Sequence, residues 1–301
     1  MVLYGFNIGL WCNGFLNKYN PNHKINLTVW LSLSYNFLYY NFWQIIMQPS
    51  WLSRLMLFGT QYSLVIVLLV AWQAVIGFGF IPDYLLPSPI QIIKAFIDDF
   101  YLLMGHAKYT LMTAFLGTVI GLLLSFVLSI LMDFSKKFKE IVYPVLLLNQ
   151  TIPTIAIAPL LVIWLGYGIL PKVVLVVLSV FFPMTIALVD GYNSVQKEQL
   201  NLFRSLKASH YQTYRHLKIP SAMGYFFTGL KVALSYALIS AVVAEWLGGY
   251  HGLGVYMTRV RKSYELDNMF AVIFFISFLT LVLLASVKLI ERQVLKYQYL
   301  K

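Results

Sequence analysis

From about residue 62 the chain alternates between long apolar runs and shorter polar interruptions that are rich in Lys and Arg. The runs fall at about residues 62–81, 109–132, 141–165, 170–190, 222–248 and 269–290. A helix needs roughly 20 apolar residues to cross a hydrocarbon core about 30 Å thick, so each run is a candidate span. The pattern predicts an all-α, polytopic transmembrane helical bundle of about six spans over residues 51–295, with a short tail at 296–301.

The first fifty residues break this pattern, holding eight of the chain's twelve asparagines together with many Tyr and Phe. They read as an N-terminal extension. Residues 27–46 form an extra span only at the cost of Asn36, Asn41 and Gln44. Alternatively translation starts at Met47 or Met56. No basic segment followed by a small-residue cleavage site marks a secretory signal peptide.

Composition agrees with the pattern: 60% of residues are hydrophobic, 11% are charged, and the mean hydropathy is +0.75. The net charge of +11 does not imply nucleic acid, because basic residues gather in the cytoplasmic loops of membrane proteins. With the first span's amino end inside, fifteen Lys and Arg fall on the cytoplasmic side and six outside. Both termini are therefore expected in the cytoplasm. The single cysteine, Cys12, has no intrachain partner for a disulfide or thiolate metal site.

Helices in lipid associate through small residues that let backbones approach. Gly117, Gly121, Ser125 and Ser129 recur every four residues in the second run, and Ala233, Ala237 and Ala241 in the fifth. Such rows serve either a dimer or gate interface or the packing of one subunit. The third run holds Pro144, Pro153 and Pro159, each lacking a backbone donor, so a broken span, kinked and partly irregular, is expected. Asn149, Gln150 and Thr151 sit just before Pro153, where polar groups line a translocation path or satisfy one another. The fifth run carries Lys231 and Glu245. Fourteen residues put them about 21 Å apart along a helix, so Lys231 is expected to snorkel to one interface with Glu245 at the other.

The segment 191–220 is too long for a simple connector and has its own periodicity. Leu200, Phe203 and Leu206 form a row on one short helix. Ser209 with Gln212 reads as a capping box opening a second, along which Tyr211, Tyr214 and Leu217 continue the row until Pro220 ends it. The pair suits a groove on a partner protein or, with Arg204, Lys207, Arg215 and Lys218, the lipid headgroups.

Glu198 to Pro220 resembles the signature cytoplasmic loop of binding-protein-dependent ATP-binding-cassette import permeases. That pattern runs Glu-Ala-Ala, three residues, Gly, nine residues, then Ile-x-Leu-Pro. Here the end is Leu217-Lys218-Ile219-Pro220, so Lys207 stands at the glycine position and Asn201-Leu202-Phe203 at Glu-Ala-Ala. The likeness rests on Arg204-Ser205-Leu206, Ala208-Ser209, Tyr211-Gln212, Pro220 and the following Gly229 to Leu234. It extends over roughly residues 50–295, through Leu85 to Pro89, Gln150 to Pro153, Ala244 to Gly249 and Gly252-Leu253-Gly254. It is most similar to the permeases for sulfonate, taurine, nitrate and thiamine precursors, and Tyr256 to Tyr264 looks like those for hydroxymethylpyrimidine.

The resemblance implies the type I importer permease fold in a bacterial inner membrane. It also implies two permease copies, an extracytoplasmic binding protein, and ATPase subunits docked on Glu198, Phe203, Arg204, Leu206, Lys207, Ser209, Tyr211, Leu217 and Pro220. Asn149, Gln150, Thr151 and Pro153 are then candidates for the path. Arg259, Arg261 and Lys262 are candidates for docking the binding protein. No cofactor is expected, and no phosphate-cradling Gly-x-x-x-x-Gly-Lys-[Ser/Thr] occurs, so ATP must be handled by partners.

Two rivals are a secondary transporter and a membrane enzyme. The first needs ion sites within spans, for which Glu245 alone qualifies. The second needs a catalytic cluster, yet His23, His106, His210, His216 and His251 all fall outside the six runs.

Overall fold

The computed structural model describes residues 51–296. The readings made for the extension 1–50, for residues 27–46, for Cys12 and for the tail beyond residue 296 lie outside the described residues. The chain forms two compact units, Met1–Val70 and Ala71–Lys301. The described part of the first is the start of helix α1 (Trp51–Gly77), whose side chains from Leu64 to Val70 are exposed and apolar.

The second unit is helical throughout its regular elements. Helix α2 (Pro89–Asp98) opens on a capping box between Ser88 and Gln91, with Pro89 in the first turn where its missing donor costs nothing. Next come α3 (Phe100–Phe134), α4 (Lys136–Thr151), α5 (Thr154–Leu165) and α6 (Leu170–Asn193). The remainder comprises α7 (Lys197–Ser205), α8 (His210–Thr213), a π-helical turn (Tyr214–Lys218), α9 (Ile219–Trp246), α10 (Leu253–Lys262) and α11 (Leu266–Val294).

Four helices are long and apolar enough to cross a membrane: α3, α6, the continuous stretch His210–Trp246 and α11. Helices α4 and α5 make a fifth if counted as one span. They are bent by 96° at Ile152 and Pro153, the interruption expected of the proline-rich third run. The apolar part of α1 described, Ser63–Gly77, is shorter than these spans.

Helix α6 lies at the centre, against α3 and α9. The small-residue rows explain how. Gly117 faces Val176 and Gly121 faces Val180 so closely that an added Cβ would lie 2.5 and 3.0 Å from the valine side chains. Ser125 donates to the Phe181 carbonyl at 3.0 Å, and the hydroxyls of Ser179 and Ser240 join α6 to α9 at 2.6 Å. Ala233, Ala237 and Ala241 are buried in the same core. Both rows therefore pack this subunit against itself. Each atom pair contributes only about 0.1–0.2 kcal/mol, so close approach along a whole face is what holds the helices together.

Candidate functional site

The segment expected to carry two short helices does so. Helix α7 stops in a left-handed turn: the Ala208 amide donates to the Phe203 carbonyl, the Lys207 amide donates to the Arg204 carbonyl, and Lys207 has φ +52°. Lys207 thus adopts the conformation that the family's glycine takes readily. The Ser209–Gln212 capping box is formed in both directions, at 3.2 and 2.8 Å. Leu206 and Tyr211 are 69% and 68% exposed, and Leu202 is also exposed. Phe203 is half-buried, while Leu217 is buried. The apolar row accordingly divides into an outward tip and a rooted base.

The base is fixed to the bundle. Tyr214 stacks on Phe134 at 5.4 Å and meets Tyr192 edge to face. The Lys218 ammonium pairs with Asp133 at 2.5 Å. Pro220 does not end the helix, contrary to expectation. The chain is one helix from His210 to Trp246, because the π turn lets the Ile219 amide reach back to the Tyr214 carbonyl and carries the backbone past a residue without a donor.

At the break between α4 and α5, Gln150, Thr151 and Pro153 are exposed and Asn149 is half-buried. The Thr151 hydroxyl donates to its own helix at the Leu148 carbonyl, 2.7 Å away. Among the described residues no hydrogen bond joins the side chains of Asn149, Gln150 and Thr151 to one another.

At the far end of α9 the structure adds partners that the sequence reading did not name. Glu245 is only 2% exposed. Its carboxylate accepts from the Thr110 hydroxyl at 2.9 Å and from the Gly254 amide at 2.8 Å. Lys172 is buried nearby, its amino group against Gly249 in the loop that follows α9. His106, outside the apolar runs, is nevertheless buried on α3, and its Nδ1 accepts from the Gly252 amide at 3.0 Å. Lys231 and Glu245 do not touch, as expected, but Lys231 pairs with Glu291 at 2.6 Å rather than simply snorkelling. No cluster of three or more metal-type ligands exists among the described residues.

Helix α10 leaves this buried cluster and carries Arg259, Arg261 and Lys262, all exposed in its last turn, where cations complement the helix dipole. Its middle is anchored by buried Tyr256, whose phenol donates to Asp99 at 2.5 Å. Burial, reinforced by the adjacent Asp99 carboxylate, pushes that phenol above its ordinary range and keeps it a donor.

Residues 117–296 match the family model for the binding-protein-dependent transport system inner membrane component. The chain belongs to this family. It is 37% identical over 237 residues to the formylaminopyrimidine transport permease protein ThiX of Halalkalibacterium halodurans, covering 77% of this chain and 93% of that one. A Haemophilus influenzae protein named "Probable ABC transporter permease protein" is 36% identical over 221 residues, 73% of this chain and 90% of its own. The fold is shared with the crystal structure of an amino acid ABC transporter, at TM-score 0.56 and 18% identity, covering 65% of this chain and 96% of that one. The chain is a multi-pass, helical permease subunit of an ABC importer.

The sequence reading missed Thr110, His106, Lys172 and Glu291. Each partner lies far along the chain, and no local pattern announces it. The Gly252-Leu253-Gly254 triplet was the one visible sign that a backbone had to pass close to something.

Proposed function

We propose that this permease moves a small pyrimidine inward, in the class of the formylaminopyrimidine and hydroxymethylpyrimidine precursors of thiamine. The observation that carries this is the 37% identity to a formylaminopyrimidine permease across 93% of that relative. ATP is hydrolysed by separate subunits seated on residues 198–220, an extracytoplasmic binding protein delivers the solute, and a second permease copy completes the path. The exposed tip at Leu202, Leu206 and Tyr211 supports the first contact, since three apolar side chains on a rooted knob are what a partner groove requires. The excess of Lys and Arg flanking this segment supports its placement on the cytoplasmic face, which puts Glu245 and α10 on the outer side. The polar side chains at the 96° break, Asn149, Gln150 and Thr151 beside Pro153, are the proposed path.

The test is ATP hydrolysis by the reconstituted complex with its binding protein loaded in turn with each pyrimidine, taurine, an alkanesulfonate and nitrate. Stimulation by a pyrimidine alone is expected. Stimulation by a sulfonate, taurine or nitrate instead overturns the substrate class, and a permease that transports without any ATPase partner overturns the importer mechanism.

A further inference from the structure

The first three amides around the start of α10 are each taken by a side chain from another helix. Gly252 N–H donates to His106 Nδ1, Leu253 N–H to Thr110 Oγ1 at 2.8 Å, and Gly254 N–H to Glu245 Oε2. His106 and Thr110 are one turn apart on α3, so they present one face, and Thr110 also donates to Glu245, closing the set. A helix start leaves such donors without partners in its own helix. Here they are clasped by two spans, in a pocket where all the contributing residues are buried.

The clasp leaves no slack. An added Cβ at Gly252 would lie 2.1 Å from the Glu245 carboxyl carbon, and one at Gly254 would lie 2.2 Å from the Val242 carbonyl oxygen. The Lys172 ammonium sits against Gly249 in the connecting loop. Glu245 is also the penultimate residue of the helix His210–Trp246, which is about 55 Å long at 1.5 Å per residue. The opposite end of that same helix is the knob bearing Tyr211.

We propose that Glu245 is a positioning residue, a carboxylate clamp that makes the long helix and α10 move as one body. It thereby carries displacement of residues 198–220 to the basic end of α10 on the outer face. This rests on the importer reading above. Without the clamp, α10 keeps its bonds to His106 and Thr110 of α3, its Tyr256 anchor and its apolar contacts, and the long helix can move without it.

The experiment uses the full complex with Glu245→Gln, Thr110→Val and Thr110→Ser permeases. In Glu245→Gln and Thr110→Val, hydrogen exchange at the amides of Leu253 and Gly254 is expected to quicken by about tenfold or more. Basal ATP hydrolysis and co-purification of the ATPase subunits stay at wild-type levels, whereas stimulation by the loaded binding protein falls to near the basal rate. Thr110→Ser, which keeps the hydroxyl, restores both. Unchanged exchange in Glu245→Gln and Thr110→Val overturns the clamp. Faster exchange with full stimulation overturns its role in transmission. Failure of the importer reading shows elsewhere, as a wild-type permease that captures no ATPase, and would take the proposal with it.

Discussion

The two short helices that flank the long helix in the chain, α7 near one end and α10 at the other, are built alike and held differently. Both stop in the same left-handed turn without glycine, at Lys207 (φ +52°) and Tyr264 (φ +59°). Yet α7 has no buried residue, whereas α10 buries Leu253, Gly254, Tyr256 and Val260 and has its first amides clasped by neighbouring spans. The knob with α7 keeps its apolar tip outward, which leaves its contact energy for a partner. Helix α10 spends its contacts within the subunit and exposes only its cations. The subunit thus pairs a firmly seated α10 with an α7 that is lightly held on a rooted base.

The sharpest break of this contrast is steric. Gly254→Ala drives a Cβ into the Val242 carbonyl and to 2.9 Å from the Glu245 Cβ, and overpacking of this kind costs about 3 kcal/mol. Gly105→Ala, with nothing within 4 Å of its Cβ, is the control and is expected to be neutral or slightly stabilising. Thermal unfolding of the purified permease measures both. Equal behaviour of the two would show that α10 is not tightly seated.

At the knob the expected effect is on capture rather than on folding. Leu206→Asp and Tyr211→Asp place a carboxylate where a partner groove would hold an apolar anchor. Losing such an anchor costs about 2 kcal/mol, roughly thirtyfold in affinity, before the carboxylate's desolvation is added. Both side chains are exposed, so membrane levels stay normal. Pull-down of the ATPase subunits at matched permease levels, followed by vesicle uptake, checks this. Full retention with wild-type uptake in both variants removes the docking assignment and favours a knob lying in the headgroups.

Why the knob was legible in the sequence and the clamp was not follows from separation along the chain. Ser209 and Gln212 are three residues apart, and the apolar row of the knob repeats within one or two turns, so local periodicity carries both. The broken third span was likewise announced by Pro153. Thr110 and Glu245 are 135 residues apart and belong to different spans, and nothing local pairs the charge of one with the hydroxyl of the other. Glu245 reads as an interface residue because fourteen residues keep it from Lys231, and the partners that bury it, the Thr110 hydroxyl and the Gly254 amide, are marked by no local pattern. The same blindness put Pro220 at a helix end: a π turn that bypasses a proline depends on backbone bonding, not on residue type.

The cations of α10 give a smaller effect. Replacing Arg259, Arg261 and Lys262 together with Gln removes three exposed charges worth about 0.2–1 kcal/mol each at most. Binding-protein docking is expected to weaken by about tenfold in low salt and by much less near physiological ionic strength, where exposed charges are screened beyond about 8 Å. Because their helix is anchored at Tyr256 and Glu245, basal ATPase activity should not change. Docking affinity measured at two salt concentrations decides, and an unchanged low-salt value would remove these residues from the interface.

The smallest effect sharpens the comparison most directly, because it acts on the feature the two short helices share. A side chain in the left-handed region crowds its own carbonyl, and glycine does not, so Lys207→Gly is expected to stabilise the end of α7 by about 0.5–1 kcal/mol. Part of the gain is returned by the greater freedom of glycine in the unfolded chain. Since α7 has no buried residue, its opening is local, and global unfolding should hardly register the change. Hydrogen exchange at Lys207 and Ala208, whose amides make the two turn bonds, should slow by about two- to fivefold. Tyr264→Gly in the equivalent turn of α10 is expected to slow exchange at Glu265 much less, because opening there also has to break the buried contacts around Tyr256 and Val260. Equal slowing at both turns would mean that α7 is held as firmly as α10, and the contrast between a lightly held α7 and a firmly seated α10 would fail.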